Sequence, residues 1–368
     1  MEPGGAKEEV LAAGRELVER GLVARTWGNV SCRIDEKHFA ITPSGRHYGD
    51  LTADDIVVVE TETLAYEGAV KPSSEKGIHA AAYLLKAETN FVIHTHQTCA
   101  AVLSVAGHSL INLSAEESEI LGGPAPLAGY GLPGTKKLAR NVEDALKRSG
   151  AAAVLMESHG ALLTGRDRAQ AFERAVLLEE ICRRAMPGTI RGDGVLKGPH
   201  ISSLRTAEGF VLTENGVSSP VAGGGNTPLE KLHGAIYRAH PSFGCIMHFN
   251  SDAVQGVMER TERMPALLDD FAQMAGRDIA VVRTEDLSGE APGRIAGKLK
   301  GRNAVLVSGL GAVCCEKDEA DCGAVMTLVE KNALTYVNAA QFGTPRALSF
   351  LDRVLMRFVY TVNYAKKK

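Results

Sequence analysis

The chain has 368 residues, 45% of them hydrophobic and 23% charged, which is the composition of an ordinary globular protein rather than a disordered or fibrous one. Its formal net charge of -3 gives no electrostatic reason to expect nucleic acid or an anionic membrane as a partner, so a small molecule is expected. The length favours two domains over a single one.

Location and redox state are indicated by features that the sequence lacks. It shows no charged-then-apolar signal segment, no uncharged apolar run of membrane-spanning length, and no Cys-X-X-Cys pair among its seven cysteines. We therefore expect a cytoplasmic protein that is not embedded in a membrane and whose cysteines are reduced.

The N-terminal part of the chain predicts a helix followed by strands and tight turns. Residues 7–23 place apolar side chains at helical spacing, which indicates an amphipathic helix. Gly28 and Asn29 form a turn signal before an alternating stretch, so Asn29 is expected where the chain bends into a strand. A strand, a tight turn and a second strand over residues 56–59 follow. Hydroxyls and backbone amides cluster in that turn at Thr42, Ser44 and Gly45.

The segment KPSSEKGIHAAAYLLKAE predicts a helix whose start suits an anion. Ser73 and Ser74 precede the helix, and Glu75 falls in its first turn. Free amides and the helix dipole favour an anion such as a phosphate at this position. The alternative is that the Ser-Ser-Glu sequence simply caps the helix.

Two histidines lie on one strand in the segment NFVIHTHQT. Residues two apart point to the same face of a strand, so His94 and His96 present two imidazoles side by side. Zinc requires three or four protein ligands, with one position left for water or substrate in a catalytic site. A third candidate is His159, which follows the buried strand predicted over residues 152–156.

The second half of the chain repeats the first. A glycine-rich linker closes the first half, and we place the domains at residues 1–198 and 199–368. His233 and His248 keep the spacing of His79 and His94, and a shared structural role is predicted for His79 and His233. The strand FVLTENG is the earliest part that we match, against IVVVETE of the first half.

The second half lacks the candidate metal ligands and the candidate carboxylate of the first half. Three candidates of the first half are replaced in the ungapped alignment: His96 by Asn250, His159 by Leu310 and Glu75 by Leu229, with Glu230 one position out of register. Leucine cannot bind a metal. The second domain is therefore predicted to be a degenerate copy without a metal site.

Five motifs carry a resemblance to a known family. GNVS, TPSG, PSSE, HTH and ESHG follow in this order over residues 28–160. The chain resembles the class II aldolase/adducin family over nearly all of the first half and, in degraded form, over much of the second. The resemblance implies an α/β fold: an αβα three-layer sandwich with a mostly antiparallel central sheet, present in duplicate.

The resemblance also implies a site. Zinc, with Mn²⁺ or Co²⁺ as other candidates, would be bound by His94, His96 and His159. Glu75 matches the family's acid/base carboxylate. The positions that match the family's substrate-phosphate site are Asn29, Thr42, Ser44, Gly45, Ser73 and Ser74.

The activity implied first is that of an aldolase, a lyase that cleaves a sugar phosphate through a metal-stabilised enediolate. A divalent cation stabilises the charge that develops on the enediolate oxygens, and a nearby carboxylate moves the proton. One departure concerns the proton donor to the leaving aldehyde, because the spacing of the family's tyrosine brings Leu113 here. Tyr48, Tyr130 or a tyrosine of the second half stay open as donors.

Other activities and an assembly follow from the same resemblance. A sugar-phosphate 4-epimerase and a metal-dependent decarboxylase or dehydratase are the alternative reactions. A non-catalytic, adducin-like scaffold is a further alternative, because a fold alone does not establish activity. It suits the second half, whereas the retained histidines and Glu75 argue against it for the first. Family enzymes are commonly tetramers with sites between subunits, so we predict a homo-oligomer, a dimer that mimics such a tetramer.

Overall fold

The computed structural model describes residues 1–23, 27–110, 112–188, 190 and 198–363 of the chain. It divides into two compact units, unit 1 at Met1–Gly188 and unit 2 at Thr189–Lys368. Most of the predicted glycine-rich linker lies outside the described residues. Within those residues, no helix combines the length and the apolar character that crossing a membrane requires.

Unit 1 is built on one seven-stranded sheet. Its strands are β1 (Asn29–Arg33), β2 (His38–Ile41), β3 (Val57–Glu60), β4 (Phe91–Thr95), β5 (Leu127–Ala128), β6 (Ala153–Met156) and β7 (Gly160–Gly165). Their order is β3-β2-β1-β4-β7-β6-β5, and every neighbouring pair is antiparallel except β5 with β6. Its helices are α1 (Pro3–Glu19), α2 (Lys76–Leu85), α3 (Thr98–Ala106), α4 (Ala115–Leu121), α5 (Lys136–Ser149) and α6 (Arg168–Arg184).

Helices cover both faces of this sheet. One buried cluster joins α2 and α5 to strand residues that include Val92 and Leu162. Strand alternation sends Ile93 and Leu163 to the opposite face, where α3 and α6 pack on β7 and α1 packs on β1. The αβα sandwich with a mostly antiparallel sheet is thereby confirmed for unit 1.

The first helix begins and ends earlier than its apolar spacing predicts. It starts at Pro3 rather than at residue 7, because a proline in the first turn has no N–H that the helix would need to bond. It ends at Glu19, and Gly21 then adopts a left-handed φ of 66°, which turns the chain away from the helix axis.

Unit 2 contains a second sheet, with eight strands. They are β8 (Ile201–Arg205), β9 (Gly209–Glu214), β10 (Val217–Ala222), β11 (Cys245–Phe249), β12 (Arg263–Pro265), β13 (Asp278–Val282), β14 (Ala304–Val307) and β15 (Gly311–Glu316). The order is β10-β9-β8-β11-β15-β14-β13-β12. The helices are α7 (Pro228–Ala239), α8 (Asp252–Arg260), α9 (Asp269–Met274), α10 (Ala291–Lys298), α11 (Glu319–Ala339) and α12 (Phe350–Asn363).

The first seven places of this order reproduce the sheet of unit 1, so the predicted duplication of the fold is confirmed. Ile201 of β8 lies opposite His248 of β11, as Asn29 lies opposite His94. The match of FVLTENG to IVVVETE is wrong, because FVLTENG forms β9, which occupies the place of β2 rather than that of β3. The preceding strand β8, with the sequence ISSLR, was not predicted. It shows no apolar alternation, because Ser203 is its only buried residue and Leu204 is exposed.

Candidate metal centre

The three predicted histidines meet at one edge of the unit 1 sheet. His94 is in β4, His96 follows this strand, and His159 occupies the turn between β6 and β7. Because β4 pairs with β7, the turn and the end of β4 lie side by side. A Cβ atom on Gly160 would lie 2.0 Å from the carbonyl oxygen of Thr95, so only glycine permits the close approach that places His159 here.

The Nε2 atoms of these histidines converge. Nε2 of His94 lies 3.0 Å from Nε2 of His96 and 2.9 Å from Nε2 of His159. The rings of His94 and His159 stack with 4.7 Å between their centroids. His94 and His159 are buried, and His96 is half-buried. The structure therefore brings the three candidates together, while their role as metal ligands stays a prediction.

Glu75 completes the cluster. Its Oε1 lies 2.9 Å from Nε2 of His159 and its Oε2 lies 3.3 Å from Nε2 of His94. The side-chain amide of Asn29 donates a hydrogen bond of 2.8 Å to Oε2. Burial opposes the charged carboxylate, but the imidazoles of His94 and His159 outweigh it and hold the pKa of Glu75 well below its usual range. The carboxylate is thus charged, oriented and almost shielded from water.

The start of α2 differs from the prediction that serines form its cap. The N-cap residue is Glu75, and no side chain caps the helix there. The Glu75 carboxylate turns toward the histidines instead, and the Ser73 hydroxyl accepts a hydrogen bond of 3.2 Å from the Glu75 amide. The simple capping interpretation of Ser-Ser-Glu is therefore wrong.

The donor set fits a divalent cation. Nδ1 of His94 lies 2.9 Å from the carbonyl oxygen of Ala161, to which it donates its single proton. Burial lowers the pKa of His94 well below its ordinary value, and with the Nδ1 proton directed at Ala161 the Nε2 atom faces the centre. Three imidazole nitrogens beside one carboxylate match the ligand chemistry of zinc and related ions.

The residues predicted to bind the phosphate lie on two adjoining loops and on β1. The loops are joined by hydrogen bonds from the Ser44 amide to the Lys71 carbonyl and from the Ser73 amide to the Thr42 carbonyl, at 2.9 and 3.0 Å. Thr42 and Ser73 are buried, whereas Ser74 and Gly45 are exposed. Asn29, at the start of β1, is bonded to Glu75. Phosphate binding by this set stays a prediction.

One candidate for the proton donor, Tyr48, and the polar side chains beside Leu113 are already engaged in the fold. The hydroxyl of Tyr48 is buried and donates a 2.8 Å hydrogen bond to the Gly28 carbonyl, which supports the turn before Asn29. Near Leu113, the Ser114 hydroxyl and the Glu117 carboxylate form the capping box of α4. The donor to a leaving group is therefore not assigned to these side chains.

A row of buried polar residues lies behind Glu75, and its connection was not predicted from the sequence. Asn29 links Glu75 to His79, and His79 is in turn bonded to Ser31, which also contacts Tyr83. One signal in the sequence points to them. A serine, a histidine and a tyrosine recur together in the second half, at Ser203, His233 and Tyr237.

Unit 2 has no comparable cluster among its described residues. The three unit 1 histidines are the only described group of at least three histidine, cysteine or acidic side chains that is suited to one metal ion. Asn250 is exposed, and its side-chain oxygen accepts from the Ser251 amide and from Gln255. Glu230 turns to the helix start, where it accepts from the backbone amides of Asn226 and Thr227.

Comparison with known proteins agrees with the duplicated fold. The family model described as class II aldolase and adducin N-terminal domain matches the chain twice, over residues 8–186 and 197–337. The chain belongs to the class II aldolase/adducin family. Members of this family include enzymes that act as aldolases and as epimerases.

Individual relatives of this family cover about half of the chain. The L-ribulose-5-phosphate 4-epimerase UlaF of Salmonella paratyphi B is 30% identical over 189 residues, which are 49% of this chain and 83% of the relative. A solved L-fuculose 1-phosphate aldolase is 32% identical, with a TM-score of 0.46 over 49% of this chain and 84% of its own. The L-fuculose-1-phosphate aldolase of Thermus thermophilus is 26% identical, with a TM-score of 0.42 over 49% and 91%.

Proposed function

We propose that unit 1 is a zinc-dependent aldolase, a lyase that cleaves a sugar phosphate. The observation that carries the proposal is the convergence of three histidine Nε2 atoms beside the buried carboxylate of Glu75, at 2.9 and 3.3 Å from two of them. His94, His96 and His159 would hold the ion. When bound, a divalent cation supplies Lewis-acid stabilisation of the negative charge that develops on substrate oxygens.

Glu75 is assigned the proton transfer. Asn29 donates to its Oε2, and its Oε1 lies 2.9 Å from Nε2 of His159, so the carboxylate stands beside the predicted metal ligands, where a proton of bound substrate would be moved. Burial of this carboxylate excludes water from the proton that is transferred. Asn29 keeps the carboxylate in one orientation, which reduces the cost of reaching the reactive geometry.

The two loops beside α2 are assigned to the substrate phosphate. The first turn of a helix offers backbone N–H groups and the positive end of the helix dipole to an anion. Thr42 and Ser73 are buried and joined through their backbones, so the loops form a fixed cradle before substrate arrives. The residues proposed for this cradle are Asn29, Thr42, Ser44, Gly45, Ser73 and Ser74.

A 4-epimerase of a sugar phosphate is the second candidate. Two observations favour it: a relative that is 30% identical is named as an L-ribulose-5-phosphate 4-epimerase, and Leu113 stands where the aldolase spacing calls for a tyrosine. A decarboxylase or dehydratase that uses the same metal site is the third candidate.

Product analysis separates these reactions. Zinc-loaded protein is incubated with a panel of phosphorylated ketoses, and the products are resolved by mass and by enzymatic coupling. An aldehyde together with dihydroxyacetone phosphate supports the aldolase, an epimer of unchanged mass supports the epimerase, and carbon dioxide from a carboxylated substrate supports the decarboxylase. Absence of any turnover with zinc, Mn²⁺ and Co²⁺ would contradict an enzymatic function.

We further propose that residues 1–198 form the catalytic domain and that residues 199–368 form a degenerate domain that binds no metal. Family precedent supports a homodimer in which four domains take the places of a family tetramer. Light scattering after gel filtration tests the dimer, and a monomeric mass with full activity would contradict it. All seven cysteines are free and buried, which supports the reducing cytoplasm as the compartment.

A further inference from the structure

A continuous row of buried side chains leads from the helix α2 to Glu75. Ser31 Oγ lies 2.7 Å from the Tyr83 hydroxyl and 2.6 Å from His79 Nδ1. His79 Nε2 lies 2.5 Å from Asn29 Oδ1, and Asn29 Nδ2 donates to Glu75 Oε2 at 2.8 Å. None of these five side chains is more than 7% exposed. Each step is therefore a direct contact that water does not replace.

The directions of these hydrogen bonds follow from the Asn29 amide. Its Nδ2 donates to Glu75 Oε2, so its Oδ1 faces His79 and can only accept from it. His79 must then carry its proton on Nε2, and its Nδ1 accepts from the Ser31 hydroxyl. Burial lowers the pKa of His79 to about 3, which leaves a neutral ring with a single N–H.

Unit 2 contains the same serine, histidine and tyrosine, but no asparagine or glutamate of its described residues continues the row. Ser203 Oγ lies 2.6 Å from His233 Nδ1 and 2.8 Å from the Tyr237 hydroxyl. Ile201 stands at the place of Asn29, since each lies opposite the histidine of the neighbouring strand. With no amide to meet, His233 Nε2 lies 3.0 Å from His248 Nε2. The serine, histidine and tyrosine thus belong to the duplicated fold, whereas the amide link exists in unit 1 alone among the described residues.

We propose that Ser31 and His79 are positioning residues, which fix the amide of Asn29 so that it holds the catalytic carboxylate of Glu75 in its reactive orientation. The inference rests on the proposed role of Glu75 as the acid/base. Without the His79 proton at Nε2, the Asn29 oxygen loses the donor that holds it. The amide that donates to Glu75 Oε2 is then free to change its orientation, and the carboxylate loses its fixed position.

The kinetic test compares matched variants of the two units in the full zinc-loaded chain. Ser31→Ala removes the hydroxyl that donates to Nδ1 of His79 and so helps to keep the His79 proton at Nε2. We expect kcat to fall about tenfold to a hundredfold, as for other partners that act through a site residue. KM and bound metal are expected to stay unchanged. Ser203→Ala deletes the equivalent hydroxyl in unit 2 and should leave kcat unchanged. An equal loss in both variants, or a rise in KM alone, would overturn the proposal.

Two further variants show whether His79 acts through Asn29. Glutamine can present an N–H near the place of the imidazole Nε2, so His79→Gln should retain more of kcat than the apolar His79→Leu. In an Asn29→Ala background, Ser31→Ala should cause no further loss, because the amide that it positions is gone. Additive losses would contradict the proposal. Circular dichroism of each variant identifies misfolding, and a misfolded Leu variant leaves the Ser31 and Asn29 pair as the deciding test.

A readout without turnover separates this proposal from the proposed function. Nitrogen-15 spectra of histidine-labelled protein report which ring nitrogen carries the proton, and the His79 signal is assigned from its absence in His79→Gln. A protonated Nε2 with an unprotonated Nδ1 is expected, with loss of this single tautomer in Ser31→Ala. The opposite tautomer would overturn the inference whatever the activity. Full turnover in Glu75→Gln with the expected tautomer would instead refute the role of Glu75.

Discussion

The two halves of the chain hold a histidine at the same place and use it differently. His94 in β4 and His248 in β11 are both fully buried and occupy equivalent sheet positions. His94 faces His96, His159 and Glu75, whereas His248 faces His233. The strand and its histidine therefore belong to the fold, and the functional difference comes from residues on the surrounding loops.

The starts of the equivalent helices α2 and α7 differ in how each uses its glutamate. In unit 1 the helix α2 begins after Glu75, and this carboxylate is free to face the histidines. In unit 2 the helix α7 begins two residues earlier relative to the shared histidine, and Glu230 closes a capping box with Thr227. A carboxylate that satisfies backbone amides is not available to a metal or a substrate. The same sheet thus supports a reactive helix start in one unit and a self-capped one in the other.

The largest expected difference is between His94→Gln and His248→Gln. The first removes a predicted metal ligand, and turnover is expected to fall at least about a thousandfold, since metal catalysis contributes several kcal/mol. The second changes a buried histidine of unit 2, and turnover is expected to stay within about twofold of the unchanged protein, because removing a site that does no chemistry costs no transition-state binding. Initial rates on the best ketose phosphate measure both, and equal losses would contradict the division of roles.

The two glutamates at the helix starts provide the second test. Glu75→Gln keeps the shape but removes the base, and kcat is expected to fall about a hundredfold or more while metal stays bound. Glu230→Gln keeps a capping-box residue whose oxygen still accepts from the Asn226 and Thr227 amides, so the free energy of unfolding should change by less than about 0.5 kcal/mol, and kcat should not change. Metal analysis, kinetics and urea unfolding distinguish the two. Unchanged turnover in Glu75→Gln would remove its proposed role.

The buried histidine of unit 2 predicts a dependence of stability on pH. Burial lowers the pKa of His233 in the folded protein to about 3, against an ordinary value of 6.5. Below pH 6.5 the unfolded chain takes up a proton that the folded chain excludes, so the free energy of unfolding falls by about 1.4 kcal/mol per pH unit from this residue. This contribution is fully present above pH 6.5.

Urea unfolding followed by circular dichroism between pH 7.5 and pH 5 measures this slope. Fluorescence of the single tryptophan, Trp27, follows the surroundings of a residue in unit 1. His233→Gln should remove this residue's share of the pH dependence of unfolding, while His248, whose pKa is also lowered by burial, keeps its own. An identical slope in the variant and the unchanged protein would show that His233 does not titrate in this way.

The smallest expected effect concerns the turn that carries His159. Ser158 adopts a left-handed φ of 57°, whereas the equivalent residue of unit 2 is Gly309, with a φ of 79°. A serine with a left-handed φ is sterically strained, whereas glycine is not. Ser158→Gly should therefore raise the free energy of unfolding of unit 1 by about 1 kcal/mol. The mirror variant Gly309→Ser should lower that of unit 2 by a similar amount. Destabilisation by Ser158→Gly would show that the serine makes a contact that outweighs the strain.

The comparison also shows how far the sequence predicts the fold. Helical spacing predicted α1 within a few residues, and the repeated spacing of His79, His94, His233 and His248 predicted the duplication. The strand β8 was missed, because its polar residues give no apolar period although its backbone completes the sheet. Strand pairing depends on contacts far apart in the chain, which local patterns do not encode.

The residues of the site were predicted from the sequence, but the contacts between them were not, because they too join distant parts of the chain. His94, His96, His159 and Glu75 were found from spacing and family motifs, and the structure brings them together. The contact between Asn29 and Glu75 was not predicted, since it joins residues on different elements that no sequence spacing relates. Ser31 was overlooked as well. A small polar residue inside a strand acquires a role only when the sheet sets it beside His79.

Metal content tests the central claim most directly. The full chain is loaded with zinc, freed of excess ion by gel filtration, and analysed by mass spectrometry for metal per chain. We expect one zinc ion per chain, none in His94→Gln, and one in His248→Gln, because only unit 1 brings three histidines together among the described residues. Two ions per chain, or one ion that survives in His94→Gln and disappears in His248→Gln, would contradict the account.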